Sequence, residues 1–126
     1  MHYRLGLALL AQGHADAALR EFELEPDASF HLLGAPLALD ALGRRVDSDR
    51  LLAQAISDPD VTSQAAYQVA LVYAARHDDS QALDWLERAW AERDTGMHWM
   101  QFDPLLSGLR TQPRFAALLA AMRPAA

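Results

Sequence analysis

Five histidines, a run of glutamates and an aromatic cluster are the residues of this 126-residue sequence whose types could do chemistry. His2, His14, His31, His77 and His98 could bind a metal or shuttle protons if they converged. None has a second histidine at the three-to-five-residue spacing that metal sites on helices and loops favour. Turn and packing roles are expected for them, and no metal site. Glu21, Glu23 and Glu25 offer carboxylates for acid–base work, but alternate residues point in different directions on a helix, so a solvated face is expected. Trp85, Trp90, Trp99 and Phe102 are of the types that dominate interface hot spots. Trp85 and Trp90 flank packing positions and are expected to fill space beneath the terminal helices; Trp99 is the least constrained. There is no HExxH, no GxSxG, no phosphate-binding glycine loop and no dinucleotide fingerprint. The reading is of a chain that is not an enzyme and needs no cofactor.

Composition narrows the field further. With 52% hydrophobic and 22% charged residues, the chain suits one globular domain spanning 1–126, long enough to bury a core without metals or disulfides. It has no cysteine, which excludes thiolate zinc sites, iron–sulfur ligation and thiol catalysis. The net charge is −6, all eleven cations are arginine, and no basic run is present, so nucleic acid is not an expected partner. Apolar runs such as Leu7–Ala11 and Phe115–Met122 fall short of a membrane span, and the start Met1-His2-Tyr3-Arg4 is not a signal peptide. A soluble, cytoplasmic protein is expected.

These side chains must be positioned by helices. Alanine and leucine dominate, and apolar positions recur at three- and four-residue steps. Turn signals at Gly13-His14, Glu25-Pro26-Asp27, Gly43-Arg44, Ser57-Asp58-Pro59, His77-Asp78-Asp79, Asp94-Thr95-Gly96, Asp103-Pro104 and Gln112-Pro113 divide the chain. The spacing predicts helices near 2–12, 15–24, 28–42, 46–57, 60–76 and 79–92, then shorter pieces near 97–102, 104–110 and 113–122. The connections are short, so neighbours must pack antiparallel.

The pattern also repeats. Gly13, Gly43 and His77 align, as do Ala18, Ser48 and Ala82, then Phe22, Leu52 and Leu86, and upstream Leu9, Leu39 and Tyr73 with Gly6, Pro36 and Ala70. The spacings are 30 and 34 residues. With these residues the chain resembles the tetratricopeptide repeat (TPR), whose period is 34 residues and whose pattern wants small side chains where helices cross. Gly6, Leu9, Ala18 and Phe22 fit the first unit, and Ala70, Tyr73, Ala82, Leu86 and Ala89 the third; the second, with Leu52, is degenerate. The first unit lacks one turn of its second helix. Pro36 is expected to kink its helix or move the helix start, and His77 to take a left-handed conformation at a glycine position. The tail, with Phe102-Asp103-Pro104-Leu105-Leu106, Leu109-Arg110 and Pro113-Arg114-Phe115, is similar to the endings of C-terminal TPR segments in bacterial multidomain regulators.

The resemblance implies an all-α, right-handed superhelical array of about three helix pairs (repeats near 1–27, 28–60 and 61–94) closed by short C-terminal capping helices over 95–126. It implies that the first helix of each pair lines a concave groove. Those positions are Tyr3, Arg4, Leu7 and Leu10, then Phe30, Leu33, Leu37 and Asp40, then Gln64, Tyr67, Gln68 and Leu71. Such a ladder would accept a helix or an extended peptide, unless the C-terminal pieces or a neighbouring subunit already fill it. The expectation is a non-catalytic protein–protein interaction module binding a protein or peptide. The alternative is self-association as a homodimer within a larger regulator. Family members that clamp the carboxylate of chaperone tails use several lysines, arginines and asparagines; only Arg4 stands at a matching position here, so that use is excluded. Helix 1 is apolar around most of its circumference and is expected to be covered, with Leu7 and Leu10 near a homodimer contact.

Overall fold

Among the residues that the computed structural model describes, 2–123, every regular element is helical. Helices α1 (His2–Ala11) and α2 (Ala15–Glu23) pack as one hairpin, and α3 (Ala28–Ala41) and α4 (Arg45–Ile56) as a second. The short α5 (Pro59–Gln64) leads into a third hairpin of α6 (Ala66–Ala75) and α7 (Asp79–Ala91). Two 3₁₀ helices, Thr95–Trp99 and Pro104–Leu109, and then α8 (Pro113–Met122) follow. No helix among the described residues is long and apolar enough to cross a membrane.

One turn, used four times, sets the period. Gly13, Gly43, His77 and Arg93 have φ of 83°, 76°, 61° and 58°. In each case the next residue's amide reaches back to a carbonyl in the last helical turn: His14 to Leu9, Arg44 to Leu39, Asp78 to Tyr73 and Asp94 to Ala89, at 2.8–3.0 Å. This is the Schellman closure, which satisfies carbonyls that the helix end would otherwise leave unpaired. The matches at Leu9, Leu39 and Tyr73 thus have a structural cause. His77 takes the left-handed conformation expected of it, and Arg93 takes it one residue ahead of the turn read from Asp94-Thr95-Gly96. Aspartates open the elements: Asp27 accepts from the amide of Ser29 at 2.9 Å, Asp58 from Asp60 at 2.9 Å and Asp78 from Gln81 at 3.3 Å.

Two expectations need correction. The helix expected over 60–76 is broken at Ala65, whose φ of −133° and ψ of 28° separate α5 from α6. The break lets Val61 and Ala65 join Val69 in the second core cluster. Pro36 does not move the helix start: α3 begins at Ala28, capped by Asp27, and continues through Pro36. The carbonyl of Pro36 instead accepts the hydroxyl of the fully buried Ser48 at 3.2 Å.

Three contiguous clusters form the interior. Tyr3, Ala18, Phe22, Ala35, Ala38 and Leu39 join α1, α2 and α3. Leu33, Leu37, Leu52, Ala55, Val61 and Val72 join α3 to α6. Ala70, Ala82, Leu86, Ala89, Met97, Met100, Leu106, Leu109, Phe115 and Leu118 bind α6 and α7 to the tail. Phe22 explains the two small residues beside it: a Cβ added at Gly6 or at Gly34 would come within 3.0 Å of its ring. The repeat positions Ala18, Phe22, Leu52, Ala70, Ala82, Leu86 and Ala89 are all buried, and Tyr73 is half-buried. Arg76, at the end of α6, ties the second and third hairpins together through Asp40 at 2.8 Å, Asp49 at 2.9 Å and the Ser48 hydroxyl at 2.7 Å.

Candidate binding cleft

α1 and the C-terminal tail face each other across a cleft of about 1070 Å³. Its α1 wall carries Tyr3, Arg4, Leu7 and Leu10; Phe30 of α3 and Tyr67, Gln68 and Leu71 of α6 line it as well. Trp99, Phe102, Asp103, Pro104 and Leu105 make the opposite wall. Leu7, Leu10 and Phe30 are half-buried, so each presents apolar surface to the cleft while packing on the core behind it. At the rim, Trp99 and Phe102 are 51% and 73% exposed. The Arg4 guanidinium lies over the Trp99 ring, 4.7 Å from its centroid, and so bridges the two walls.

Polar groups fix the tail wall. Asp94 accepts from the amide of Gly96 at 2.8 Å and from that of Tyr67 at 3.1 Å, holding the first 3₁₀ helix against the start of α6. Asp103 accepts the amide of Leu105 at 3.0 Å with one carboxylate oxygen and the Tyr67 hydroxyl at 2.7 Å with the other. Burial, with this bond to Asp103, pushes the Tyr67 hydroxyl well above the usual phenol range. The α1 wall is set differently. Tyr3 packs on Phe22 and Phe30, with ring centroids 5.8 and 5.0 Å away, and its amide donates to Glu25 at 3.1 Å. Its hydroxyl is buried without a hydrogen-bond partner among the described residues, and burial, then the charge of Asp103, pushes it far above its ordinary value.

The positions expected in the groove divide into three groups. Tyr3, Arg4, Leu7, Leu10, Phe30, Tyr67, Gln68 and Leu71 line the cleft together. Leu33 and Leu37 do not: they are 0% and 3% exposed and lie in the second core cluster, because α1, α2, α4 and α6 pack around α3 and bury Leu32–Leu39 without a gap. Asp40 is committed to Arg76 and, at 3.4 Å, to Arg45, and Gln64 is exposed on α5 outside the cleft. Leu7 and Leu10, expected near a homodimer contact, turn toward the cleft; Leu5 is the exposed leucine of α1, at 49%.

Phe102, Asp103 and Leu105 stand in the sequence as part of the tail, and Phe102 also in the aromatic cluster; nothing there marks them as lining residues. The tail's 3₁₀ helices carry no 3.6-residue period that would mark an inner face.

The remaining candidates have local roles. His2 bonds Glu21 at 2.7 Å, joining α1 to α2, and His31 bonds the Phe22 carbonyl at 3.0 Å. Glu23 is exposed, whereas Glu25 is buried and accepts the amides of Asp27 and Tyr3 at 3.0 and 3.1 Å. Trp85 and Trp90 pack half-buried on the third core cluster. Among the described residues no three His, Asp or Glu side chains converge as a metal site would require.

No protein-family model, curated protein or solved structure matches the chain. The likeness to tetratricopeptide repeats therefore rests on the residues quoted above.

Proposed function

We propose that the chain is a TPR-like, non-catalytic interaction module of a bacterial cytoplasmic protein, and that a segment of a protein or peptide occupies the cleft between α1 and the tail. The cleft itself carries this reading: about 1070 Å³ lined by apolar side chains, with two large aromatic residues left exposed at its rim. Apolar anchors with a few convergent polar groups are what a groove for a helix or an extended segment offers. Repeats stacked as a right-handed superhelix would place the first helices of the pairs on this concave side. A peptide would add contacts to both walls and compete with the Arg4–Trp99 stack.

The test begins with selection of a random-peptide display library on the full chain. Amide chemical shifts of the protein are then followed as a selected synthetic peptide is added. The expected footprint covers Leu7, Leu10, Phe30, Leu71, Phe102 and Leu105. A footprint centred on α4 or α8, or a library that enriches nothing, would overturn the reading. A second reading, self-association through α1, is favoured by the exposure of Leu5; a dimer in light scattering that Leu5→Glu dissolves would support it.

A further inference from the structure

The polar floor of the cleft narrows the chemistry of its occupant, and the inference drawn from it rests on the peptide-binding reading above. Tyr67 and Asp103 are hydrogen-bonded there at 2.7 Å, and Tyr3 lines the same cleft. The Tyr67 hydroxyl gives its only proton to Asp103, so its oxygen can take part in a further hydrogen bond only as an acceptor. The carboxylate oxygens of Asp103, already receiving Tyr67 and the amide of Leu105, keep lone pairs and a negative charge. Tyr3 is 8% exposed, lines the same cleft, and its hydroxyl has no hydrogen-bond partner among the described residues. A buried hydroxyl left unpaired costs free energy that a ligand group can recover. All three groups can accept, two of them have no proton to offer a ligand, and the fixed charge is negative. An anion would meet repulsion at Asp103. A neutral apolar group would leave the Tyr3 hydroxyl unpaired.

Among the described residues Arg4 is the one arginine of the lining, which also holds Glu25 and His98; it is held at the rim over Trp99, away from the Tyr67–Asp103 pair. Around the floor the walls are apolar, with Leu7, Phe30, Leu71 and Leu105.

We propose that the cleft recognises a lysine side chain set in an otherwise apolar peptide segment. Its ammonium donates to Tyr3 Oη, Tyr67 Oη and Asp103, and its methylene stem lies along Leu7 and Leu71. Three donors on one compact head can serve the bonded Tyr67–Asp103 pair and a further acceptor lining the same cleft, whereas the planar fork of arginine suits a single carboxylate or phosphate. A slender, unbranched stem also suits a hydroxyl as covered as that of Tyr3.

Peptides enriched from the display library on the full chain should share a lysine flanked by apolar residues. In the best of them, made synthetically, lysine replaced by norleucine should bind about tenfold more weakly, as loss of a charged hydrogen-bonded contact predicts, and lysine replaced by glutamate should not bind. Asp103→Asn keeps an oxygen to receive the Leu105 amide and should erase the preference for lysine over norleucine. Tyr3→Phe breaks no bond within the protein; it should weaken the lysine peptide and leave the norleucine peptide unchanged, which keeps the test intact if Asp103→Asn fails to fold. Enriched peptides that map to the cleft without a basic residue would overturn the lysine assignment and leave the peptide-binding reading standing. So would an unchanged lysine preference in Asp103→Asn. Selection of nothing, or a footprint away from the cleft, would overturn both.

Discussion

The two walls of the cleft are held in place by different physics. The α1 wall is a regular helix seated mainly by packing, with the Phe22 ring between Gly6 and Gly34, and tied at its start to Glu25 through the Tyr3 amide and to Glu21 through His2. The tail wall is built from 3₁₀ turns with poorer internal hydrogen bonding, and it is located by polar pins from Asp94 and Asp103 to Tyr67 as well as by Met97, Met100, Leu106 and Leu109 beneath it. A wall set by packing depends on volume. A wall set by pins depends on particular atoms, and can be loosened without emptying the core.

The largest expected effect is therefore on the α1 wall. Phe22→Ala should cost about 3–5 kcal/mol in chemical denaturation, because Gly6 and Gly34 have no side chains with which to refill the space. A loss below 1 kcal/mol would mean that α1 is not seated through Phe22. On the tail wall Tyr67→Phe keeps the ring and removes the pin to a charged partner, for an expected loss of about 1.5–3 kcal/mol. Tyr3→Phe, which removes a buried hydroxyl without a partner among the described residues, should be neutral or stabilising. Equal losses in the two phenylalanine variants would erase the distinction between pinned and packed walls.

That distinction also governs what could be read from the sequence. The hairpins were legible because Gly13, Gly43 and His77 mark a repeated turn and because Ala18, Phe22, Ala82 and Leu86 recur at helical steps. The α1 lining was legible for the same reason. Asp103 shows in the sequence only as a turn and tail residue, since its bond to Tyr67 spans 36 residues and leaves no local signature. Leu33 and Leu37 were placed in the groove by offset alone, which assumes a free face on α3; four neighbouring helices leave none. Ala65 breaks its helix without a glycine or proline to announce it.

Acid should weaken the base of the α1 wall. The amides of Asp27, then of Tyr3, hold the Glu25 carboxylate below its ordinary value of 4.5. Its folded-state value is depressed, so its contribution is complete above that pH and disappears as pH falls through the lower value in the folded protein. Melting temperature should fall more steeply below pH 4.5 in the wild type than in Glu25→Gln; parallel curves would show that Glu25 plays no such part. A small loss belongs to the bridge between the walls. Arg4→Ala should cost about 0.5–1 kcal/mol, as expected of an exposed cation–π contact, and should shift the emission of Trp99. An unchanged emission would mean that the walls are not bridged there.

The central claim, that the space between the two walls is where a partner segment lies, is tested most directly by photo-crosslinking. The photoreactive p-benzoylphenylalanine is placed either at position 102, on the rim of the cleft, or at position 46, where Val46 is exposed on α4 outside it. With a labelled peptide selected on the wild-type chain, the account predicts efficient capture from position 102 and background capture from position 46. Equal capture at the two positions, or capture from position 46 alone, would contradict it.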